Sequence, residues 1–258
     1  MNDSVKILSA RRAYEFKQDD LRLTILTTPA VQQYISQAFG FQMAQTATPM
    51  QTFGPVPQTL PPGAVFNFGT IPFPEGAATP IRYLHFEPRR VVIDVAGPSS
   101  AIDAMFAQLA TMLEGVSTPD GSPVMGTPER VLNYSEITHP APFNPSVLLA
   151  PPARDVVQDA LDSSELNSSN GLMIVPSIHV GVIRASEEFH GSASIPPDLR
   201  NFVYEIRSGT RPQDRVYFSA APLTTDAHLS YLGKVEAVMA LLSDPLAIQP
   251  PLLEDHDQ

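Results

Sequence analysis

The chain contains no cysteine. That absence removes disulfides, thiolate metal centres, iron–sulfur clusters and thiol nucleophiles together. It leaves the compartment open, since a cysteine-free chain is at home in any. No G-x-S-x-G elbow occurs, so serine catalysis of that type has no anchor. A P-loop, a G-x-G-x-x-G turn and an H-E-x-x-H pair are also missing, which weakens nucleotide, dinucleotide and zinc-protease readings. Basic runs are short: Arg11-Arg12 and Arg89-Arg90 are the densest pairs. The net charge is -11 with a pI of 4.9, a balance that repels phosphate backbones and disfavours nucleic acid. No apolar run approaches membrane-spanning length, and Met1–Leu8 lacks the apolar core of a signal peptide. These features predict a soluble cytoplasmic protein with no membrane, metal or cofactor role.

What is present is a globular composition. The 258 residues can hold one large domain or two modest ones, and the hydrophobic fraction of 43% suffices for a core. Proline is abundant, 27 residues against a usual share of roughly 5%, and it comes in clusters. Stiff, irregular connections follow from that.

The clearest architecture runs from Ile81 to Gly115. Ile81–Glu87 is aromatic and branched, as strands are, and places Leu84, Phe86 and Arg82 on one face with Ile81, Tyr83, His85 and Glu87 on the other. Pro88-Arg89 makes a turn, and Val91–Val95 returns. Ser99 or Ser100 is placed to cap a helix, and a cap at Ser100 brings Asp103 into the first turn. Ile102, Met105, Phe106, Leu109, Met112 and Leu113 form its apolar stripe, and Gly115 is placed to stop it. A hairpin followed by such a helix predicts an antiparallel sheet with the helix on one face.

A similar order recurs later. Strands at Phe202–Arg207 and Arg215–Ser219 precede Pro222, a Thr224-Thr225 cap, Asp226 and a stripe of Leu229, Leu232, Val235, Met239 and Leu242. The fold class expected is therefore α+β, antiparallel sheets with helices packed on one face, in two related hairpin-helix units. The predicted domains are 1–118, 119–243 and an acidic, mobile tail at 244–258. Other strands are predicted at Leu21–Leu26, Val131–Ile137, Leu172–Val175 and Ile178–Ile183, and helices at Pro29–Phe39 and Ala153–Leu161. Residues 11–20 read as a short helix or a lead-in arm.

The stretch 44–79 interleaves prolines with Phe53, Phe66, Phe68 and Phe73. It reads as a long loop, with Val65–Phe68 as a short edge strand that flanking prolines exclude from the sheet interior. Such phenylalanines either present a surface to a protein partner or fold back onto the core. Among the histidines, His85 shares a strand face with Glu87, His228 lies near Asp226, and His190 follows Glu187-Glu188; none has the spacing of a closed metal site. Asp94, within an apolar strand, is a candidate buried carboxylate. Two functional expectations result. The leading one is a non-enzymatic accessory or assembly protein that binds a protein partner or itself, through Phe53, Phe66, Phe68 and Phe73. The other is an enzyme or small-molecule binder with a cleft between the halves, lined by His85, Glu87, Asp94 and His179.

Overall fold

The computed structural model describes residues 5–47, 52–53, 58–59, 63–71, 78–116, 118–162, 175–181 and 201–243. The predicted tail at 244–258, the strand residues 172–174, Phe73 and His190 lie outside them. The fold is mixed α+β, built on one antiparallel sheet of nine strands rather than on separate sheets.

Its middle strand is β1, Lys6–Glu15. The segment predicted as an arm or short helix is thus the centre of the sheet. Next come two helices, α1 (Leu23–Leu26) and α2 (Pro29–Phe39), then β2 (Met43–Ala47), a separate small ribbon of β3 (Thr52–Phe53) and β4 (Gln58–Thr59), and β5 (Gly63–Ile71). The hairpin follows as β6 (Thr79–Glu87) and β7 (Arg90–Val95), then α3 (Ser99–Glu114). The later residues supply β8 (Arg130–Pro140), α4 (Pro151–Asp162), β9 (Ile178–Gly181), β10 (Asn201–Ile206), β11 (Val216–Ala221) and α5 (Thr225–Ser243). The strand order is β2-β5-β6-β7-β1-β8-β11-β10-β9, so the sheet runs unbroken through β1 and β8 across the predicted 118/119 division.

Four local expectations are corrected. Leu21–Leu26 is not a strand: Leu21 makes a single bridge to Met125, and Leu23–Leu26 is one helical turn that drives Leu26 fully into the core. Val65–Phe68 belongs to a nine-residue strand, β5, that lies between β2 and β6. The prolines at 62 and 72 stand outside it, so every residue of β5 keeps its N–H for the ladder. In β6 a bulge at Arg82 moves Ile81 onto the face of Leu84 and Phe86, where it joins the core. Finally, α3 begins at Ser99 after Pro98, without a side-chain cap, and Asp103 falls beyond its first turn to pair with Arg12.

Helices cover one face. Val31, Ile35 and Phe39 of α2 and Ile102, Met105, Leu109 and Leu113 of α3 pack on Ala10, Phe66, Leu84, Phe86, Val91 and Ile93. Beyond β8, Leu232 of α5 closes on Ile137, Tyr204 and Tyr217. Ala10 and Ser135 are ladder partners on this same face, so α3 and α5 lie on the same side of the sheet. Their first residues interlock: Ser99 N–H donates to Thr225 Oγ1 at 2.9 Å, and Thr225 N–H donates to Ser99 Oγ at 3.0 Å. Thr224 Oγ1 accepts from Ala227 N–H, the hydroxyl cap expected for α5.

The tightest approach is at Gly63, where an added Cβ would lie 1.7 Å from the Phe86 carbonyl oxygen. Gly63→Ala is expected to destabilise the protein by about 2–3 kcal/mol or to shift the β5–β6 register, since backbone cannot yield as a side chain does. Urea denaturation of the two proteins measures it.

Candidate functional site

On the face away from the helices, β6, β7, β1 and β8 present side chains in transverse rows. One row is Glu87, Arg90, Glu15 and Arg130, alternating in sign across four strands. Arg90 reaches Glu15 at 2.9 Å and Glu87 at 3.6 Å, and Arg130 also pairs with Glu15. The next row is His85, Val92, Ala13 and Leu132, a narrow apolar band. The third is Tyr83, Asp94, Arg11 and Tyr134. There Arg11 Nε donates to Asp94 Oδ2 at 2.9 Å, and its guanidinium lies 5.5 Å and 5.9 Å from the ring centres of Tyr83 and Tyr134. Arg82 adds a longer pair to Asp94 at 3.7 Å, and Ser9 and Tyr134 both donate to Glu136.

Asp94 is the most deeply placed acid of this face, only 2% exposed. Burial raises its pKa above the usual carboxylate range, and Arg11, followed by Arg82, opposes that rise. The candidate buried carboxylate of the sequence is therefore paired, from a buried position, with partly exposed arginines. The first row opens on a shallow cleft of about 290 Å³ between the β6–β7 turn and the junction of β1 with β8. Glu15, Glu87 and Glu129 line it together with Arg89, Arg90 and Arg130.

Of the four predicted ligand residues, the sheet brings three near one another. His85 Nδ1 is 3.4 Å from Glu87 Oε1, and Asp94 lies on the adjacent strand, two rows away from Glu87. His179 is on β9, six strands from His85 and hence about 29 Å across the sheet. It faces Glu205 at 3.3 Å and is exposed. Among the predicted partner residues, Phe66 is fully buried, edge-on to Phe86 at 6.0 Å and tilted against Phe41 at 5.4 Å. Phe68 is 59% exposed and holds φ at +59°, a strained value for an aromatic residue. Phe53 lies in the β3–β4 ribbon, and Phe73 is outside the described residues.

Sequence reasoning missed a second polar cluster, beneath α5. His228, wholly buried, sits between Ser135 Oγ at 2.8 Å from Nδ1 and Ser219 Oγ at 2.9 Å from Nε2. Burial lowers its pKa to about 4, and His139 pushes the same way. His139 is 2% exposed, with Nδ1 2.9 Å from Glu236 and its ring 5.7 Å from that of Tyr204. Burial lowers its pKa too, against the pull of Glu236. Ser135, Ser219 and His228 come from three elements, so no spacing in the chain could have revealed them. Among the described residues no group of three His, Asp or Glu side chains could hold a metal ion.

The chemistry these groups offer is cohesion. Each described acid of the first and third rows faces an arginine, and the Ser–His cluster has no solvent-facing member. Arg11→Met is expected to cost about 3–5 kcal/mol, because it leaves Asp94 buried without its closest cation. Arg11→Met with Asp94→Leu should recover most of that loss, and a double-mutant cycle by urea denaturation measures the coupling. No protein-family model matches the chain, and the curated proteins contain no match to its sequence.

Proposed function

We propose that this is a non-enzymatic association protein, an accessory or assembly subunit, and that α4 is its partner-facing element. One observation carries the reading: every residue from Pro151 to Ala160 is exposed, although the helix is amphipathic. Ala153, Val156 and Val157 fall at i, i+3 and i+4 on one side. Val156 is 68% and Val157 39% exposed. A helix of 12 residues has little stability of its own in water, and burial of its apolar stripe ordinarily supplies the rest. Arg154, Asp155 and Asp159 mark the polar side, so a fitting partner offers an apolar groove with a basic rim.

The two-unit reading belongs here as well. The order β5-β6-β7-β1 continues as β8-β11-β10-β9, which mirrors it strand for strand. Ala10 then corresponds to Ser135, Val95 to Ala221 and Ser99 to Thr225. Reciprocal contacts between equivalent residues, as between Ser99 and Thr225, are what a twofold axis generates. This supports a fused pair of α+β units, in which α4 stands in the chain order where α2 stands in the first and β2 is an addition.

A second reading rests on the cleft beside Glu87. It spans the two units and carries three acids and three arginines, so it suits a small ligand bearing both charges.

Size-exclusion chromatography with light scattering on protein from its native source, with mass spectrometry of what co-elutes, separates the two. The expected result is a stable complex, lost in Val156→Asp/Val157→Asp while the thermal melt of the isolated chain stays within about 1 kcal/mol of the parent. A monomer that carries a small molecule refutes the association reading and favours the cleft.

A further inference from the structure

We propose that α5 is an acid-released latch: lowering the pH frees it from the sheet and uncovers the aromatic face of β10 and β11, while the core under α2 and α3 stays closed. The geometry is a pair of buried histidines set on opposite sides of one helix–sheet interface. His228 comes from α5 and is held by Ser135 of β8 and Ser219 of β11. His139 comes from β8 and is faced by Glu236 of α5. A proton on either ring places charge inside the same seam.

The hydrogen bonds at His228 make the balance explicit. Ser135 Oγ is 3.0 Å from the Leu223 carbonyl, and Ser219 Oγ is 3.2 Å from the Val203 carbonyl. A neutral imidazole has one N–H, so one serine accepts from it and the other must donate to it. Whichever ring nitrogen carries the proton, the serine that donates to the ring gives up its bond to a carbonyl. An imidazolium would satisfy both serines and both carbonyls, yet the site is fully buried and meets a second histidine instead of a carboxylate. Desolvation outweighs the extra hydrogen bond.

The other groups on this seam do not offset that cost. From α5, Tyr231 lies with its ring 6.2 Å from His228, and Asp226 is in the first turn. From β10 and β11 come Tyr204 and Tyr217, both with raised pKa values, and Tyr217 donates to the Phe143 carbonyl at 3.0 Å. Glu236 is 39% exposed and favours the proton on His139, but burial of that ring prevails. Tyr204 Oη and Nε2 of His139 are buried without a hydrogen bond among the described residues. The seam is thus under-satisfied in the closed state. By contrast, none of the described histidines lies in the core under α2 and α3: His85 is on the opposite face of the sheet and His179 on its edge strand.

The direction follows from where the proton binds. In the released state both imidazoles meet water and titrate near 6.5, whereas closed His228 holds its proton only below about 4. Between these values the open state binds more protons, so acid favours it; above 6.5 and below 4 this preference no longer changes with pH. From pH 7.5 to pH 5, His228 alone raises the opening constant of α5 about 30-fold, and His139 adds to that.

Hydrogen exchange of the full chain, read by mass spectrometry and normalised to intrinsic rates, tests the latch at pH 7.5 and pH 5. The expected result is a protection loss of about 30-fold or more in α5, and in β11 beneath it, with α3 and β5–β7 little changed. His139→Gln/His228→Gln should flatten the difference, because glutamine keeps a hydrogen-bonding side chain without a titrating one. Unchanged protection of α5 in the parent, or the same acid loss in the double variant, overturns the proposal; the second result would assign the effect to carboxylates. Imidazole ¹⁵N shifts of the parent give an independent reading that needs no variant. Neutral His228 at pH 5.5 in the closed protein supports the latch, and a protonated ring beneath a protected α5 overturns it.

Discussion

Two adjacent arginines occupy the fifth of nine strands, and the sheet is organised around accommodating them. Strand alternation sends Arg11 and Arg12 to opposite faces. Arg11 crosses to Asp94 of β7 and lies between two tyrosine rings. Arg12 goes to the helix side, where its Nε donates to Asn133 of β8 at 2.7 Å and its guanidinium pairs with Asp103 of α3. One dipeptide therefore ties β1 to both neighbouring strands and to the helix above them. Neither pair adds much net stability: desolvation of Asp94 offsets most of its attraction to Arg11, and solvent screens exposed Asp103. Their effect is on register. A slip of one residue would exchange the two faces and strand both cations away from their acids.

The same dipeptide explains why the centre of the sheet was not legible in the sequence. Lys6–Glu15 has strand alternation, but adjacent charges read as a solvated edge until their acids are known, and Asp94 and Asp103 lie more than eighty residues on. What could be read was local. The β6–β7 hairpin, α3, the β10–β11 hairpin and α5 are each specified by residues within a short window: a turn dipeptide, a hydroxyl cap, an apolar stripe. Where local cues misled, a tertiary contact had prevailed. Leu26 gains more from complete burial than Leu21–Leu26 would from pairing, and a bulge at Arg82 redirects Ile81 into the core. For the candidate site, the kinship of His85 with Glu87 was visible as i, i+2 spacing. The position of His179 was not, because strand order in a sheet is not written in any one strand.

The two sides of the sheet's midline are made of different material. Under α2 and α3 the seal is aliphatic and phenylalanine-rich, and Phe66 meets Phe86 edge to face and Phe41 at a tilt. Such a core holds at any pH at which the chain's net charge is tolerable. Under α5 the fully buried volume is shared with Ser135, Ser219 and His228, and Phe143 packs there with Tyr204 and Tyr217, whose hydroxyls need partners. The buried apolar cluster there is much the smaller, and every polar atom in it carries a condition on protonation or hydrogen bonding.

That asymmetry bears on what the exposed α4 can do. The helix lies in the chain between β8 and β9, and it is therefore carried by the conditional half of the sheet. Were a partner on Val156 and Val157 to bind better with α5 closed, the two events would be thermodynamically linked. Release of α5 would then weaken such a complex by the same factor by which the complex held α5 in place. A purely aliphatic core on both sides would give a more robust protein, but one whose two halves did not differ in their response to acid.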